Sequence, residues 1–254
     1  MALLIDAYLT PFFPEHESLF DEAAVVMIDV LRASTTVATA LKNGAKELIP
    51  TDSLEKAVKI YSSLSKEVRF LGGERHGVKP SGFDAGNSPF EYTEDSIKGK
   101  SVILTTSNGT RIFQKAKNSE HRIVGAFVNL NAVLSYLDNY YFNSGDNHKV
   151  IFLCAGNNGR LSYEDMLCAG AFISNIVSKV NNVTISDPAA TAMNLYELHS
   201  ENLVAYLKSR DHAIILNNLG FADDIDFCFT LDVCPVVPLC SMASIKAFDE
   251  QNLN

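Results

Sequence analysis

The hydrophobic positions along this chain form short continuous runs that alternate with longer amphipathic segments. The runs are rich in Val, Ile and Leu and have the length of one strand, which is typical of strands buried on both faces. They predict strands at residues 2–8, 25–28, 45–50, 68–71, 101–106, 122–128, 149–154 and 236–239. We expect the first of these strands to lie at an edge of the sheet.

The segments between the strands repeat apolar residues every three or four positions, which predicts helices. They cover residues 34–43, 53–63, 107 to about 117, a segment that begins at 129–131, 162 to about 180, and 187 to about 229 in three or four pieces. Strands that alternate with helices form a largely parallel sheet covered on both faces. We therefore predict an α/β fold, a three-layer α/β/α arrangement with a largely parallel central sheet and a helical C-terminal region, in a single domain over residues 1–254.

A candidate functional turn follows the predicted strand at 25–28. Asp29 and Arg32 come directly after this strand, and Ser34 and Thr35 stand at the head of the next helix. Backbone N–H groups at a helix start can bind an anion, and side-chain hydroxyls there bind either those amides or a ligand. The plainer interpretation of this stretch is a capped turn with one surface ion pair.

The same order of strand, polar turn and helix recurs downstream. In a parallel sheet such turns meet at the carboxyl ends of the strands, where α/β proteins bind ligands. The turn at 106–111 supplies candidate substrate-binding residues: Thr106, Ser107, Asn108, Gly109 and Thr110. We add Asn87 from the long glycine-rich loop 72–89, because loops of this length inside compact domains are usually functional or disordered.

Four of these turns contain an arginine. They are Arg32, Arg75, Arg111 and Arg160. The planar guanidinium group suits the oxygens of phosphate, sulfonate and carboxylate groups. In a chain with more acids than bases, four such residues indicate that the turns bind an anionic substrate, although each one alone fits a surface salt bridge.

Acidic residues in the same turns indicate a Mg²⁺ site. Mg²⁺ usually takes one or two carboxylates together with waters and substrate oxygens. Asp29 is the first candidate ligand, followed by Glu74 and by Glu164 or Asp165 at the start of the helix at 162–180. A favourable interaction with the helix dipole is the alternative interpretation of Glu164 and Asp165.

Cys154 and Arg160 have the Cys-x5-Arg spacing of cysteine-dependent phosphatases, on a predicted strand, loop and helix. In such enzymes the helix start and the arginine stabilise a nucleophilic thiolate. A buried structural cysteine is the alternative. The attacking group is therefore open between a metal-activated water, Asp29 and Cys154.

Composition and charge exclude several classes of protein. The formal net charge of −9 argues against a nucleic-acid partner. The apolar runs are far shorter than the roughly 20 residues of a membrane span, and residues 1–6 lack the basic segment of a signal peptide. The five cysteines have no Cys-x-x-Cys spacing, which suits reduced thiols and a cytoplasmic location.

Several motifs, in order, closely resemble those of the 2-phosphosulfolactate phosphatase family. They are DVLRASTT at 29–36, GER at 73–75, GFDAGNSP at 82–89, TTSNGTR at 105–111, CAG at 154–156, GR at 159–160, ED at 164–165 and LCAG at 167–170. The resemblance runs from about residue 24 to 170, with looser similarity beyond. His76 and the pair Asn157-Asn158 depart from the family pattern.

The resemblance implies a Mg²⁺-dependent phosphatase that releases phosphate from 2-phospho-3-sulfolactate, a step towards coenzyme M. A substrate with a phosphate, a sulfonate and a carboxylate would need several arginines. The alternatives are a phosphatase for another small phosphorylated hydroxy acid and a non-catalytic protein that binds an organic anion. A homodimer that buries the apolar helical segment 189–207 is an open alternative for the oligomeric state.

Overall fold

A computed structural model describes residues 2–10, 17–119, 121–142 and 148–249. The strands are β1 (Leu3–Tyr8), β2 (Ala23–Ile28), β3 (Glu47–Thr51), β4 (Arg69–Gly73), β5 (Ser101–Thr105), β6 (His121–Gly125), β7 (Lys149–Cys154), β8 (Val183–Ile185), β9 (Pro238–Cys240) and β10 (Ile245–Ala247). The helices are α1 (Ala33–Lys42), α2 (Leu54–Ser63), α3 (Glu94–Ile97), α4 (Gly109–Ile112), α5 (Leu130–Tyr140), α6 (Tyr163–Lys179), α7 (Asp187–His199), α8 (Leu203–Lys208), α9 (Asp211–Asn218) and α10 (Ala222–Cys228). The predicted α/β fold class, including its helical C-terminal region, is confirmed.

The ten strands form one mixed, mostly parallel sheet in the order β4-β5-β3-β10-β9-β6-β2-β7-β1-β8. One parallel block contains β4, β5 and β3, and a second contains β6, β2, β7, β1 and β8. The short strands β9 and β10 join the two blocks through three successive antiparallel pairings. An odd number of reversals means that the two blocks run in opposite senses along the sheet.

This reversal changes the reason why the strand ends meet. A uniformly parallel sheet would bring all the carboxyl ends to one edge, as the sequence suggested. Here the sheet has to turn between the blocks. The usual twist between neighbouring strands amounts to about 100° over the five steps from β5 to β2. Gly109, just after β5, lies against Asp29, just after β2, so these two strand ends do meet.

Helix α1 lies between the two blocks and contacts β3 in one and β6 in the other. Nine of its ten residues are buried, and most of them are Ala, Ser or Thr. Small side chains let backbones approach closely on every side. Each threonine hydroxyl bonds a carbonyl, as Thr35 does with Val30 and Thr36 with Asn87. The helix is therefore buried without leaving its hydroxyls unpaired.

Helices α5, α6 and α7 cover the other face of the second block. Their apolar residues pack against β1, β2 and β7 in the largest hydrophobic cluster. Helix α2 covers the corresponding face of β4 and β5 in a smaller cluster around Ala57 and Ile103. These outer helices, the sheet and α1 make up the three predicted layers.

Three details of the sequence prediction are wrong. Strand β1 is not at the edge, because β8 pairs along its outer side. The helix after β5 ends at Ile112 instead of about Lys117, since Ala116 has a left-handed φ of 54° that no helix can continue through. Strands β8 and β10 are only three residues long and have no clear apolar run that would reveal them.

Candidate functional site

A cavity of about 160 Å³ lies at the carboxyl ends of β2, β4, β5 and β7. The turns after these strands form most of its wall, and helix α9 closes it from the C-terminal region. The lining residues are Asp29, Leu31, Arg32, Glu74, His76, Gly77, Asn87, Thr106, Ser107, Asn108, Asn157, Asn158, His212, Ile215, Leu216 and Leu219. We call this the Asp29 cavity.

Asp29 follows β2 directly and is 6% exposed. Its Oδ1 accepts the N–H of Ala33, the first residue of α1, at 3.3 Å, so the carboxylate faces the start of the buried helix. Burial raises the pKa of Asp29 to about 7, with further increases from the charges of Glu74 and Glu164. The charge of His212 and the Ala33 N–H oppose this rise. Asp29 is therefore a carboxyl group whose ionised form needs a positive partner.

Glu74 holds the two turns of the first block together. Its Oε1 accepts the backbone N–H of Ser107 at 2.6 Å, and its Oε2 accepts that of Gly77 at 2.7 Å. These bonds leave the carboxylate at the cavity wall with its charge facing Asp29. Glu74 thus fixes the loop after β5 relative to the loop after β4.

His212, which is partly buried, and Glu164, which is buried, form a pair beside the cavity. The Nδ1 of His212, on α9, lies 2.6 Å from Oε1 of Glu164, on α6. Burial lowers the pKa of His212, but the hydrogen bond and charge of Glu164 outweigh it, so the net shift is upward. Burial likewise raises the pKa of Glu164, and the bond and charge of His212 reverse that. The second ring nitrogen, Nε2, is the one left for a ligand in the Asp29 cavity.

Of the four predicted arginines, Arg32 is the one that lines the Asp29 cavity. Its guanidinium already binds other residues of the chain. Its Nη1 donates to Oδ2 of Asp224 on α10 at 2.6 Å, and its Nη2 donates to the carbonyl of Gly77 at 2.9 Å. The guanidinium also stacks on the ring of Phe221 at 4.0 Å. Arg32 therefore ties the first turn of the site to the C-terminal helices.

The structure does not bring the other three arginines to this cavity. Arg75 bonds the carbonyl of Glu74 and the hydroxyl of Thr105. Arg111 is exposed on α4. Arg160 is also exposed and lines a neighbouring cavity of about 540 Å³. The convergence of four arginines on one cavity is not observed, and the catalytic roles assigned to these residues stay predictions.

The neighbouring cavity shares a wall with the Asp29 cavity. His212, Asn157, Asn158 and Ile215 line both of them. Arg210, just before α9, lines the neighbouring cavity, as Arg160 does. An anion that extends from the Asp29 cavity into the neighbouring one would therefore lie near the guanidinium groups of Arg160 and Arg210.

The predicted substrate-binding residues divide into two groups. Thr106, Ser107, Asn108 and Asn87 line the Asp29 cavity. The Oδ1 of Asn87 is buried without a hydrogen-bond partner among the described residues, which leaves an oxygen at the cavity for a ligand.

The other group supports the site from behind. The hydroxyls of Ser34, Thr35 and Thr110 are fully buried and bond backbone groups. Gly109 lies directly behind the carboxylate of Asp29. None of these four residues lines the cavity. Backbone groups of the turns after β2 and β5 occupy the three hydroxyls, and Gly109 has no side chain.

Cys154 lies at the end of β7, fully buried and away from both cavities. Burial, together with the charge of Asp165, raises the pKa of its thiol well above the ordinary value, so a thiolate is disfavoured. This environment favours the structural interpretation of Cys154 over the Cys-x5-Arg nucleophile.

Asp165 also faces away from the cavity. Its Oδ1 accepts the N–H of Val30 at 2.8 Å, and its Oδ2 accepts that of Gly156 at 3.0 Å. Burial raises the pKa of Asp165 well above the usual range, followed by the charges of Glu164 and Asp29. The carboxyl group joins the turns after β2 and β7, which leaves it no position at the Asp29 cavity.

The predicted Mg²⁺ ligands fit a magnesium ion only in part. Among the described residues, no three His, Cys, Asp or Glu side chains lie close enough to bind one metal ion together. Mg²⁺ requires fewer protein ligands, since it keeps waters and takes substrate oxygens. Asp29, Glu74 and the unpaired Oδ1 of Asn87 are oxygen donors on one cavity wall, which is the donor chemistry that Mg²⁺ prefers.

Sequence reasoning missed His212 and Asp224. Both lie on short helices of the C-terminal region, in segments without a recognisable motif. Their partners Glu164 and Arg32 were predicted site residues. A search of the C-terminal helices for residues of opposite charge to these two could have suggested His212 and Asp224. Among the helices of residues 2–10, 17–119, 121–142 and 148–249, none combines the length and hydropathy of a membrane span.

The fold and the Asp29 cavity define an α/β protein with buried carboxylates at the strand ends of a mostly parallel sheet. A family model described as 2-phosphosulpholactate phosphatase matches residues 9–242. The chain belongs to this family, and it is a phosphoric monoester hydrolase. The resemblance found in the sequence motifs is confirmed.

Three relatives support this assignment, and each is named a probable 2-phosphosulfolactate phosphatase. The protein from Clostridium perfringens strain SM101 is 39% identical over 236 residues, which cover 92% of both chains. The one from Thermotoga maritima is 38% identical over 235 residues, 92% of this chain and 94% of its own. The one from Caldanaerobacter subterraneus is 38% identical over 217 residues, 85% of this chain and 87% of its own.

Proposed function

We propose that this chain is a Mg²⁺-dependent phosphatase that hydrolyses 2-phospho-3-sulfolactate to 3-sulfolactate and phosphate. Family membership supports the substrate, because the matching relatives carry that name. The observation that carries the proposal is the placement of Asp29. A buried carboxyl group with a raised pKa, at a cavity where four strand ends meet, is typical of a reacting group.

Asp29 and Glu74 would hold the metal ion, with the Oδ1 of Asn87 as a further oxygen. When bound, Mg²⁺ would neutralise the charge of the phosphate oxygens and polarise the phosphorus for attack. It would also keep Asp29 ionised at neutral pH, against the burial that raises its pKa. Glu164 and Asp165 are less suited to this role, because neither of them lines the Asp29 cavity, whereas Asp29 and Glu74 do.

The reaction adds water across the bond between phosphorus and the substrate oxygen. Phosphorus gains an oxygen from water, directly or by way of the Asp29 carboxylate, and the bond to the hydroxy-acid oxygen breaks. That oxygen leaves as an alkoxide and must gain a proton. His212 can hold this proton on Nε2, since its bond to Glu164 through Nδ1 favours the protonated ring.

The remaining charges of the substrate need other partners. The carboxylate and sulfonate groups would extend from the Asp29 cavity towards Arg160 and Arg210 in the neighbouring cavity. Arg32 contributes less as a free cation, because Asp224 neutralises it. Asn157 and Asn158 lie between the two cavities and would contact the middle of the substrate.

Phosphate release from a small set of substrates tests this proposal. We would compare racemic 2-phosphosulfolactate, phospholactate and phosphoglycolate, each with Mg²⁺ and with EDTA. We expect release to require Mg²⁺ and to favour the sulfonate, because Arg160 and Arg210 offer partners for the third anionic group, which phospholactate and phosphoglycolate lack. Metal-independent release abolished by thiol alkylation would support Cys154 instead.

The same experiment separates the other candidate functions. A preference for phospholactate would indicate a phosphatase for another small hydroxy acid, and an absence of release from all three would favour an anion-binding protein. The cytoplasmic location and the homodimer stay predictions.

The five cysteines, on which the predicted location rests, are free and buried. They are Cys154, Cys168, Cys228, Cys234 and Cys240.

A further inference from the structure

A third cavity, of about 230 Å³, lies at the start of β6 and shares no residue with the Asp29 cavity. Its wall comes from the end of β3, the segment after α4, and the turn between β9 and β10. We call it the Arg122 cavity, because Arg122 is the charged residue buried in it. Neither the sequence motifs nor the proposed hydrolysis uses this cavity.

Arg122 is 4% exposed, yet it has no ion pair with any residue that the structure describes. Its Nε is buried without a hydrogen-bond partner within that same part of the chain. Burial of an unpaired charge is strongly unfavourable, and buried arginines are normally paired. The formal net charge of −9 makes an arginine without an acidic partner more conspicuous.

The other residues of this cavity do not neutralise Arg122. The thiol of Cys240 is its one ionisable sulfur group, and burial raises the pKa of that thiol to about 12, so it is uncharged at neutral pH. Lys117 also lines the cavity. The carbonyl of Ser244 already accepts from Ser241, and the carbonyl of Pro50 accepts from Gln114. The lining residues of this cavity therefore include the Arg122 guanidinium and no carboxylate.

We propose that the Arg122 cavity binds a small phosphate-type oxyanion, between the guanidinium of Arg122 and the turn at 241–244. A guanidinium presents a planar set of donors that matches two oxygens of such an anion. The cavity is larger than one inorganic ion requires, so free phosphate and a small phosphate monoester are both suitable sources of this chemistry. Helix α4 begins at Gly109, behind Asp29, and ends at Ile112, next to Phe113 in the wall of the Arg122 cavity.

Thermal unfolding in the presence of inorganic phosphate tests this site. In a buffer without phosphate, Arg122→Met should unfold at the same temperature as the wild type or higher, because it removes an unpaired buried charge. Phosphate should raise the unfolding temperature of the wild type, and Arg122→Met should lose at least about half of that increase. If phosphate binds only in the Asp29 cavity, it should raise the unfolding temperature of Arg122→Met as much as that of the wild type.

Lys59→Gln is the matched control, since Lys59 is exposed on α2 and outside all three cavities. It should keep the full phosphate-dependent increase. Glycerol 3-phosphate in place of phosphate distinguishes the sources: a larger Arg122-dependent increase assigns the site to a phosphate monoester, and an equal or smaller one to the free anion. An increase that is the same in Arg122→Met and wild type would overturn the proposal.

A second measurement does not depend on any variant. Crystals of the full wild-type chain grown with selenate should show anomalous scattering within hydrogen-bond distance of the Arg122 guanidinium. Selenate has the shape and charge of sulfate and marks its own position. An occupied Asp29 cavity together with no signal at Arg122 would contradict the proposal, and this holds even if Arg122→Met fails to fold.

Discussion

Gly109 lies directly behind Asp29: a Cβ atom on Gly109 would sit 2.6 Å from Oδ2 of Asp29 and 2.5 Å from the Cβ of Ala33. Both distances are too short for ordinary contacts. Gly109 belongs to the turn after β5 and Asp29 to the turn after β2, so the two blocks of the sheet touch at this point. The absence of a side chain at residue 109 leaves the room that the Asp29 carboxylate occupies.

Gly109→Ala should therefore displace Asp29 and lower activity. We expect kcat/KM for phosphate release to fall at least about 10-fold, because small displacements of a reacting group have large effects on rate. The double variant Gly109→Ala with Ala33→Gly relieves the contact with residue 33 and keeps the contact with Asp29. It should recover thermal stability without recovering activity. Full activity in Gly109→Ala would show that the position of Asp29 is not critical.

The raised pKa of Asp29 predicts how stability depends on pH. In the metal-free protein the pKa is about 7, above the ordinary value of 3.8. Between these values the folded state holds a proton that the unfolded state has lost, so stability falls as the pH rises from about 4 to 7. Asp29→Asn removes this effect.

In EDTA at pH 8, we expect Asp29→Asn to be more stable than the wild type by about 2–4 kcal/mol, and by much less at pH 5. Chemical denaturation at the two pH values measures both differences. Asp223→Asn is the control, since Asp223 is exposed on α10 and should show no such pH-dependent gain. A variant that is less stable than the wild type at pH 8 would mean that ionised Asp29 is already compensated by the chain.

The buried ion pair between Arg32 and Asp224 predicts a large loss of stability when one partner is neutralised. Asp224→Asn leaves the Arg32 charge buried and without a counter-ion, and the free energy of unfolding should fall by about 3 kcal/mol or more. Glu94→Gln breaks the exposed pair with Lys98 and should change stability far less, because solvent screens that pair. Urea unfolding of both variants measures the contrast. Equal effects would mean that Arg32 gains other partners.

Cys154→Ala should leave catalysis intact. The thiol is buried away from the Asp29 cavity, and its raised pKa disfavours a thiolate at neutral pH. We expect kcat/KM within about twofold of the wild type and a loss of stability of about 1 kcal/mol from the lost packing. Steady-state phosphate release and thermal unfolding measure the two effects. If kcat drops by orders of magnitude while the variant remains folded, Cys154 takes part in the reaction.

Much of the site was predictable from local sequence. The turn from Asp29 to Ser34, the placement of Glu74 and the turn at 106–109 all follow strands with a clear apolar pattern, so their convergence required only the α/β rule. The rule gave the right result although the sheet is not uniformly parallel. Strand β9 overlaps the strand predicted at 236–239, whereas β10, which completes the reversal, was not predicted because three residues are too few to form a clear apolar run.

Local sequence could not show which charges neutralise each other. Arg32 and Arg75 look like anion-binding residues because their partners, Asp224 and Thr105, are distant in sequence. His212 had no motif, and its role depends on helix α9 packing beside Glu164. The sequence did not indicate a binding site at Arg122, because only the tertiary structure shows that this strand arginine is buried without an acidic partner. These contacts come from tertiary packing, which no local pattern encodes.

The most direct test of the proposed function is the rate of phosphate release from 2-phospho-3-sulfolactate by Asp29→Asn at saturating Mg²⁺, beside the wild type and Asp223→Asn. If Asp29 holds the metal ion or attacks phosphorus, kcat should fall at least about 10³-fold in Asp29→Asn and stay unchanged in Asp223→Asn. Full turnover by a folded Asp29→Asn protein would contradict the account.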